Sequence, residues 1–372
     1  MHITKYTIAS ALLGLSLLGC HQGEDLAQSQ VPVISSADTH HDSSVMPGTL
    51  RVLLSPELGN RLALEPGQDG LRSGNKELDE YLRSIGASSM RRVFPHAGKY
   101  EGRTRREGLH LWYDITFDES VPVPRAIGAA RRLPGVVLTE EIHMPYTSDT
   151  QARTLSFDST PRATEAPFND GGLPLQWHYN NAGGKPYYAE GADINLYEAW
   201  KIETGKPNVV VAIVDGGIDI EHEDLKDNLY VNVAERDGVA GVDDDSNGYI
   251  DDIHGYNFVD MSPNIAAHRH GTHVAGTVGA RTGNGKGVAG VAGGNGKEGS
   301  GVRLLSCQIF MTVDGASQGT PNSPQAIKYG ADAGANISQN SWGYRYPGPK
   351  VIPASLKAAI DYFIKYAGCD DQ

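Results

Sequence analysis

Residues 208–217 read Asn-Val-Val-Val-Ala-Ile-Val-Asp-Gly-Gly, six apolar positions in a row that end on a carboxylate and two glycines. Alternation would mark a strand with one wet face. A short run that is apolar throughout, bounded by turn residues, reads instead as a strand covered on both faces of a parallel sheet. Helices must then flank it, and Asp193 predicts the N-cap of one that ends at Gly205-Lys206-Pro207. Asp215 stands at the carboxyl end of the strand, the edge at which open α/β sheets carry ligands and chemistry. Alone it is equally a turn residue before Gly216-Gly217. Fifty residues on, His268-Arg-His-Gly-Thr-His273 runs into the small-residue helix Val274-Ala-Gly-Thr-Val-Gly-Ala280.

The rest of the chain sets bounds on this α/β layer. Its 372 residues leave room for two domains, and the composition is that of a soluble globular protein: 39% hydrophobic, 21% charged, 45 glycines. A chain disordered throughout, a collagen and a polytopic membrane protein are excluded. The net charge is −13, and residues 146–372 hold 28 acids against 17 bases. That excludes a nucleic-acid surface, which needs clustered Lys and Arg, and suits an exported or cation-holding protein. Cys20, Cys307 and Cys369 are too few and too scattered for a disulfide framework or a cysteine zinc site.

At the N-terminus, Lys5 precedes thirteen mostly apolar residues, Thr7 to Gly19, which have the length of a signal-peptide core and are too short for a membrane span. They end in Leu17-Leu-Gly-Cys20, which resembles a bacterial lipobox with Cys20 as lipid acceptor. Residues 1–20 are therefore expected to be a lipoprotein signal peptide, with an ordinary secretory signal as the alternative. Polar residues 21–45 read as a tether. Residues 46–146 follow as a first folded unit. It has strands at Thr49–Leu54 and Ser88–Phe94, a helix through Leu78, Tyr81, Leu82 and Ile85, and a strand alternating from Leu109 to Phe117. A short helix ending at Leu133 and a strand at Val136–Ile142 complete it. The order βαββαβ predicts an α+β, ferredoxin-like sandwich. Its histidines, His96, His110 and His143, are isolated. Residues 147–175 form a linker, and the α/β layer occupies 176–372.

Two stretches carry chemistry. The spacing His268-x-His270-x-x-His273 admits a metal site as well as a helix start with one structural histidine. Asp243-Asp-Asp-Ser-Asn-Gly-Tyr-Ile-Asp-Asp252 places oxygen ligands at Asp243, Asp245 and Asn247, a glycine for the sharp turn, and Asp251 beyond it. These are the parts of a calcium loop, although no Glu stands at the twelfth position.

Three motifs in order resemble those of the subtilases, the subtilisin-like serine proteases. Val211-Ala-Ile-Val-Asp-Gly-Gly-Ile-Asp219 is similar to their aspartate motif, His270-Gly-Thr-His-Val-Ala-Gly276 to their histidine motif, and Asn336-Ile-Ser-Gln-Asn-Ser-Trp-Gly343 to their substrate-binding strand. The resemblance implies an α/β fold with a mostly parallel sheet and helices on both faces. It makes His270 the general base and Asp215 its orienting partner, and gives His273 a structural role. Ser341 and Gly343 would pair with an extended peptide, with Trp342 lining a pocket. It also strengthens calcium as cofactor, and adds Asp224, with Asn284 as its partner, at a second calcium site. Gly216 departs mildly from the pattern, standing where Ser or Thr is commoner.

One expected part is missing. The order Asp, His, Ser puts the nucleophile beyond His270, yet no G-T-S-x-A-P motif and no A-A-G-N strand follow. Gly315-Ala-Ser-Gln-Gly319 spells G-x-S-x-G, but Thr320-Pro321 deny Ser317 the helix that a nucleophile elbow requires. The amphipathic helix of Leu356, Ile360, Phe363 and Ala367 has no strand after it, which predicts an open sheet edge. The expectation is a C-terminally truncated serine endopeptidase zymogen, inactive as given. The βαββαβ unit would be its propeptide, an intramolecular inhibitor whose segment from Ile142 to Asp149 blocks the cleft. Peptides would be its substrates, and lipid would anchor it in a bacterial cell envelope. A noncatalytic peptide-binding surface lipoprotein is the alternative from another class, and a metallohydrolase the third.

Overall fold

The computed structural model describes residues 44–67, 70–147, 166–183, 188–345 and 348–368. The signal peptide with Cys20 and nearly all of the tether lie outside the described residues, as do positions 148–165 of the linker. Among the described residues no helix is long and apolar enough to cross a membrane.

The N-terminal part is a four-stranded antiparallel sheet in the order Ser89–Arg92, Trp112–Thr116, Thr49–Leu54, Val136–Glu140. Helices Lys76–Ser84 and Val123–Ala130 pack on one face through Leu78, Tyr81, Leu82, Ala126 and Ile127, against Leu50, Val52 and Ile115. The first helix forms where local chemistry favours it. Asn75 caps it by accepting from the Leu78 N–H, acids Glu77 and Asp79 sit in its first turn, and Arg83 sits in its last.

One sequence expectation is corrected here. Alternation from Leu109 predicts a strand with one buried face, but Leu109–Leu111 is a turn of 3-10 helix entered through Gly108 at φ 71°, and the strand is Trp112–Thr116. His110 and Trp112, assigned to a wet face, are buried. The opposite face of this sheet is dry because Val93, Phe94, Leu109 and Trp112 join one core with residues of the C-terminal part.

In that part, Val210–Gly216 lies parallel between Arg303–Val313 and Ile337–Gln339. Gly255–Asn257 adds in parallel to Arg303–Val313, which then turns back antiparallel through Ala316–Gly319. Burial on both faces is borne out residue by residue. Val211 and Ile213 pack with Ala275 of helix Arg269–Gly279, whereas Ala212 and Val214 pack with Ala326 and Phe363 of helices Ser323–Asp332 and Ala354–Tyr366. The two latter helices carry the N-terminal sheet on their outer side. Ser43–Gln372 forms one compact unit.

Polar side chains stitch that junction. Arg51, bidentate on Asp114, donates to Ser355 Oγ at 2.9 Å. Glu140 Oε1 accepts from the backbone amides of Ala354 and Ser355. The helix they begin has Pro353 at its N-cap, with no side-chain cap of its own.

Candidate active site

Strand Val210–Gly216 delivers Asp215 fully buried at its carboxyl end. Its Oδ1 accepts from the Gly216 amide at 2.6 Å and lies 2.7 Å from His270 Nδ1. A carboxylate there holds the proton on Nδ1 and leaves the Nε2 lone pair available. Asp215 Oδ2 is buried without a hydrogen-bond partner.

The histidine's position follows from local packing. His268 is the N-cap of helix Arg269–Gly279, and its Nδ1 accepts from the His270 amide at 3.2 Å. For the helix to start against the end of the strand, side chains must be absent at the crossing. A Cβ on Gly271 would lie 1.9 Å from the Gly216 carbonyl oxygen, and one on Gly216 would lie 2.2 Å from the His268 ring. That accounts for glycine at 216. His268, His270 and His273 do not converge as a metal site among the described residues: His268 caps, His270 faces Asp215, and His273 is exposed one turn on. The structural role expected of His273 finds no burial to support it.

Of the positions expected to bind peptide, Gly343 pairs with a segment of this same chain, the tail of the N-terminal part. Pro145–Tyr146 pairs antiparallel with Gly343–Tyr344, Gly343 opposite Tyr146 and Tyr344 opposite Pro145. On its other side the tail lies against Gly319, where a Cβ would come within 2.5 Å of the Pro145 carbonyl oxygen. Neither Pro145 nor Gly319 was singled out in the sequence as half of such a pair. Ser341 Oγ accepts from Gln339 Nε2 at 2.8 Å. Trp342 packs towards Leu356 and Ile360 and meets Tyr344 edge-on at 5.9 Å, its Nε1 buried without a partner. Ser317 lies in the hairpin opposite Thr312, and the next helix begins only at Ser323, so it stands on no nucleophile elbow.

The acidic loop gathers a different set of carboxylates from the one its pattern suggests. Oxygens of Glu235, Asp245 and Asp252 lie within 4.8 Å of one another. Asp243 accepts from the amides of Asn247 and Gly248, Asp251 from Gly241, and Asn247 both accepts from the Tyr249 amide and donates to Asp252. Those three side chains brace the turn. Burial pushes Asp252 up to about 7, against the hydroxyl of Tyr329 and the amides of Asn247 and Asn232 that donate to it. Hard oxygen donors held together in this way fit a calcium ion. Lys99 of the N-terminal part reaches the rim, 3.2 Å from Asp245 Oδ2. At the other expected site Asp224 and Asn284 do meet, Asn284 Nδ2 donating to Asp224 Oδ1 at 2.7 Å. Asp170, which the sequence did not suggest, takes the amides of Gly283 and Asn284 beside them.

The model of the N-terminal of Subtilase family matches residues 52–183, and that of the Subtilase family matches residues 206–369. Subtilisin-like protease 1 of Plasmodium berghei is 46% identical over 91 residues, 24% of this chain and 14% of that relative. The halolysin-like extracellular serine protease Nep of Natrialba magadii is 32% identical over 150 residues, 40% of this chain and 23% of that relative. Fervidolysin from Fervidobacterium pennivorans, a keratinolytic enzyme related to subtilisin, superposes with a TM-score of 0.49 at 19% identity, over 87% of this chain and 39% of its own. Each match spans less than half the length of the relative. With both family models matched in order along most of its length, the chain belongs to the subtilase family.

Proposed function

We propose that this chain is the zymogen form of a subtilisin-type serine endopeptidase, with the nucleophilic serine supplied by sequence beyond Gln372. The observation that carries the reading is the pairing of Pro145–Tyr146 with Gly343–Tyr344 as a separate two-stranded sheet, on the C-terminal part that also presents the buried Asp215–His270 pair. An extended peptide held as an added strand is how a protease presents a scissile bond, and here the chain's own tail takes that place. In the completed enzyme His270 Nε2 accepts the serine proton as the hydroxyl attacks the peptide carbonyl, then passes it to the leaving amine. Asp215 keeps the ring in the required tautomer and stabilises the imidazolium. Residues 46–146 act as the inhibitory propeptide, followed by the linker 147–175 and the peptidase part 176–372. The backbone of Ser341 and Gly343 binds peptide.

Calcium held by Glu235, Asp245 and Asp252 would tie the loop after Tyr230 to the sheet, a structural service. Asp224 with Asn284 offers a second site. Cys20 carries lipid and holds the exported protein at the bacterial envelope.

The test is to append to residues 1–372 the C-terminal portion of a related subtilase, from its A-A-G-N strand through its serine helix. The joined protein should hydrolyse peptides, and His270→Ala should reduce that by at least the ~10²–10⁴-fold that general acid–base assistance supplies. Turnover by the 372-residue chain alone, blocked by a serine-directed phosphonate, would refute the assignment of the nucleophile. A joined protein that binds peptide but never cleaves it would favour the noncatalytic lipoprotein.

A further inference from the structure

Arg103, on the helix Glu101–Arg106 of the N-terminal part, runs into the C-terminal part and ends with only 7% of its side chain exposed. Its Nε donates to Tyr362 Oη at 2.6 Å and to Asp332 Oδ1 at 3.2 Å, and Nη2 donates to the same carboxylate oxygen at 2.7 Å. Three aromatic rings surround the guanidinium, with centroids at 4.0 Å for Tyr100, 5.2 Å for Tyr366 and 5.6 Å for Tyr362. Tyr366 is held by a hydrogen bond from its hydroxyl to Glu107 at 2.7 Å.

Two features mark this as a receptor for a ligand rather than a shared piece of core. Its shape suits a guanidinium. A flat, weakly hydrated guanidinium stacks on the Tyr100 ring while its edge forks onto a carboxylate and a hydroxyl, whereas the Lys328 ammonium beside it meets the same carboxylate as a point charge, 4.9 Å from the Tyr362 ring centroid. The site is also complete without its guest. Asp332, whose side chain is 2% exposed, is bonded independently by the Lys328 ammonium and by the Tyr362 hydroxyl at 2.7 Å. Withdrawing Arg103 therefore strands no buried carboxylate, and that is the usual large penalty for breaking a buried pair. With Arg103 present, two cations share one carboxylate, and burial together with Arg103 draws the Lys328 ammonium below its ordinary range, with Asp332 opposing.

We propose that Asp332, Tyr362 and Tyr366 form an alkylguanidinium socket on the C-terminal part, and that Arg103 seated in it is the releasable anchor of the N-terminal part. The inference needs neither the serine nor calcium. It adds to the proposed zymogen a specific point at which the two parts hold and let go.

The experiment uses the full 372-residue chain. Arg103→Ala removes the guest and leaves the socket, with Tyr100 still in place. Its melting temperature should fall, and millimolar ethylguanidinium should restore roughly half of the loss with saturation, as a ligand specific to the native state does. Ethylammonium at equal concentration should restore none, and wild type in the same two salts corrects for their general effects. Arg103→Lys should melt below wild type. Should Arg103→Ala fail to fold, Arg103→Lys decides alone. Equal rescue by the two cations, no rescue of a folded Arg103→Ala chain, or a wild-type melting temperature for Arg103→Lys would each overturn the socket.

Discussion

Replacing Glu140 by alanine probes the junction at one atom. Glu140 Oε1 accepts from the amides of Ala354 and Ser355, the first two of a thirteen-residue helix without another side-chain cap, and Ser355 is fully buried. Loss of a capping acceptor costs about 1 kcal/mol. A charge at a helix N-terminus adds roughly 0.3–1 kcal/mol. Because water reaches Ser355 poorly, its orphaned amide pushes the sum towards 2 kcal/mol. At 1.36 kcal/mol per decade that is about a thirty-fold shift in the local opening equilibrium. Native-state hydrogen exchange reads it directly. The Ala354 and Ser355 amides should exchange about thirty-fold faster in Glu140→Ala, while the amides of Ala326 and Tyr329 in the neighbouring helix change little. Glu140→Gln keeps an acceptor but loses the charge, and should fall near five-fold. Exchange in Glu140→Ala within two-fold of wild type would refute the capping argument, since no other side chain caps this helix.

Two shorter predictions follow from the proposed function. Calcium should raise the melting temperature, by the equivalent of about 2.7 kcal/mol at a hundredfold excess over Kd. Glu235→Ala or Asp245→Ala should remove most of that gain, and curves indifferent to calcium and chelator would mean that the cluster holds no calcium. Expressed in a bacterium, the wild-type chain should incorporate labelled fatty acid and partition into membranes, and Cys20→Ala should do neither. A membrane-bound Cys20→Ala protein would end the lipoprotein reading.

What the sequence revealed, and what it hid, divides along one physical line. Val209–Val214, Asp215 and His270 were legible because a fully apolar run admits few environments, and because the two polar groups stand at fixed offsets from elements that periodicity identifies. The carboxylate cluster was legible only as a neighbourhood. Which carboxylates turn inward depends on left-handed backbone at Ser246 and Asp251, φ 57° and 55°, and no side-chain pattern announces that. Those kinks send Asp251 out to the Gly241 amide and Asp252 in towards Asp245. Glu235 joins from a short helix where a single glutamate looks like any surface acid. The same limit explains Trp112. Alternation tells one face of a strand from the other, and it cannot tell water from a second domain.

The Asp215–His270 pair is built entirely from parts this chain contains. Asp215 ends a strand pinned on both faces, the helix of His270 is capped by His268, and Gly216 and Gly271 allow the strand end and helix start to meet at backbone distance. None of these contacts involves the tail or the acidic loop, so neither release of Pro145–Tyr146 nor removal of a cation should disturb the 2.7 Å contact between Asp215 and His270. One consequence of Gly216 bears on that pair. Glycine has no hydroxyl to offer, and Asp215 Oδ2 is left buried and unbonded, a position that ordinarily costs about 1–3 kcal/mol. Filling it from residue 216 would require a Cβ where the His268 ring now sits. The cap that fixes His270 and the bare oxygen on Asp215 are therefore two results of the same packing choice.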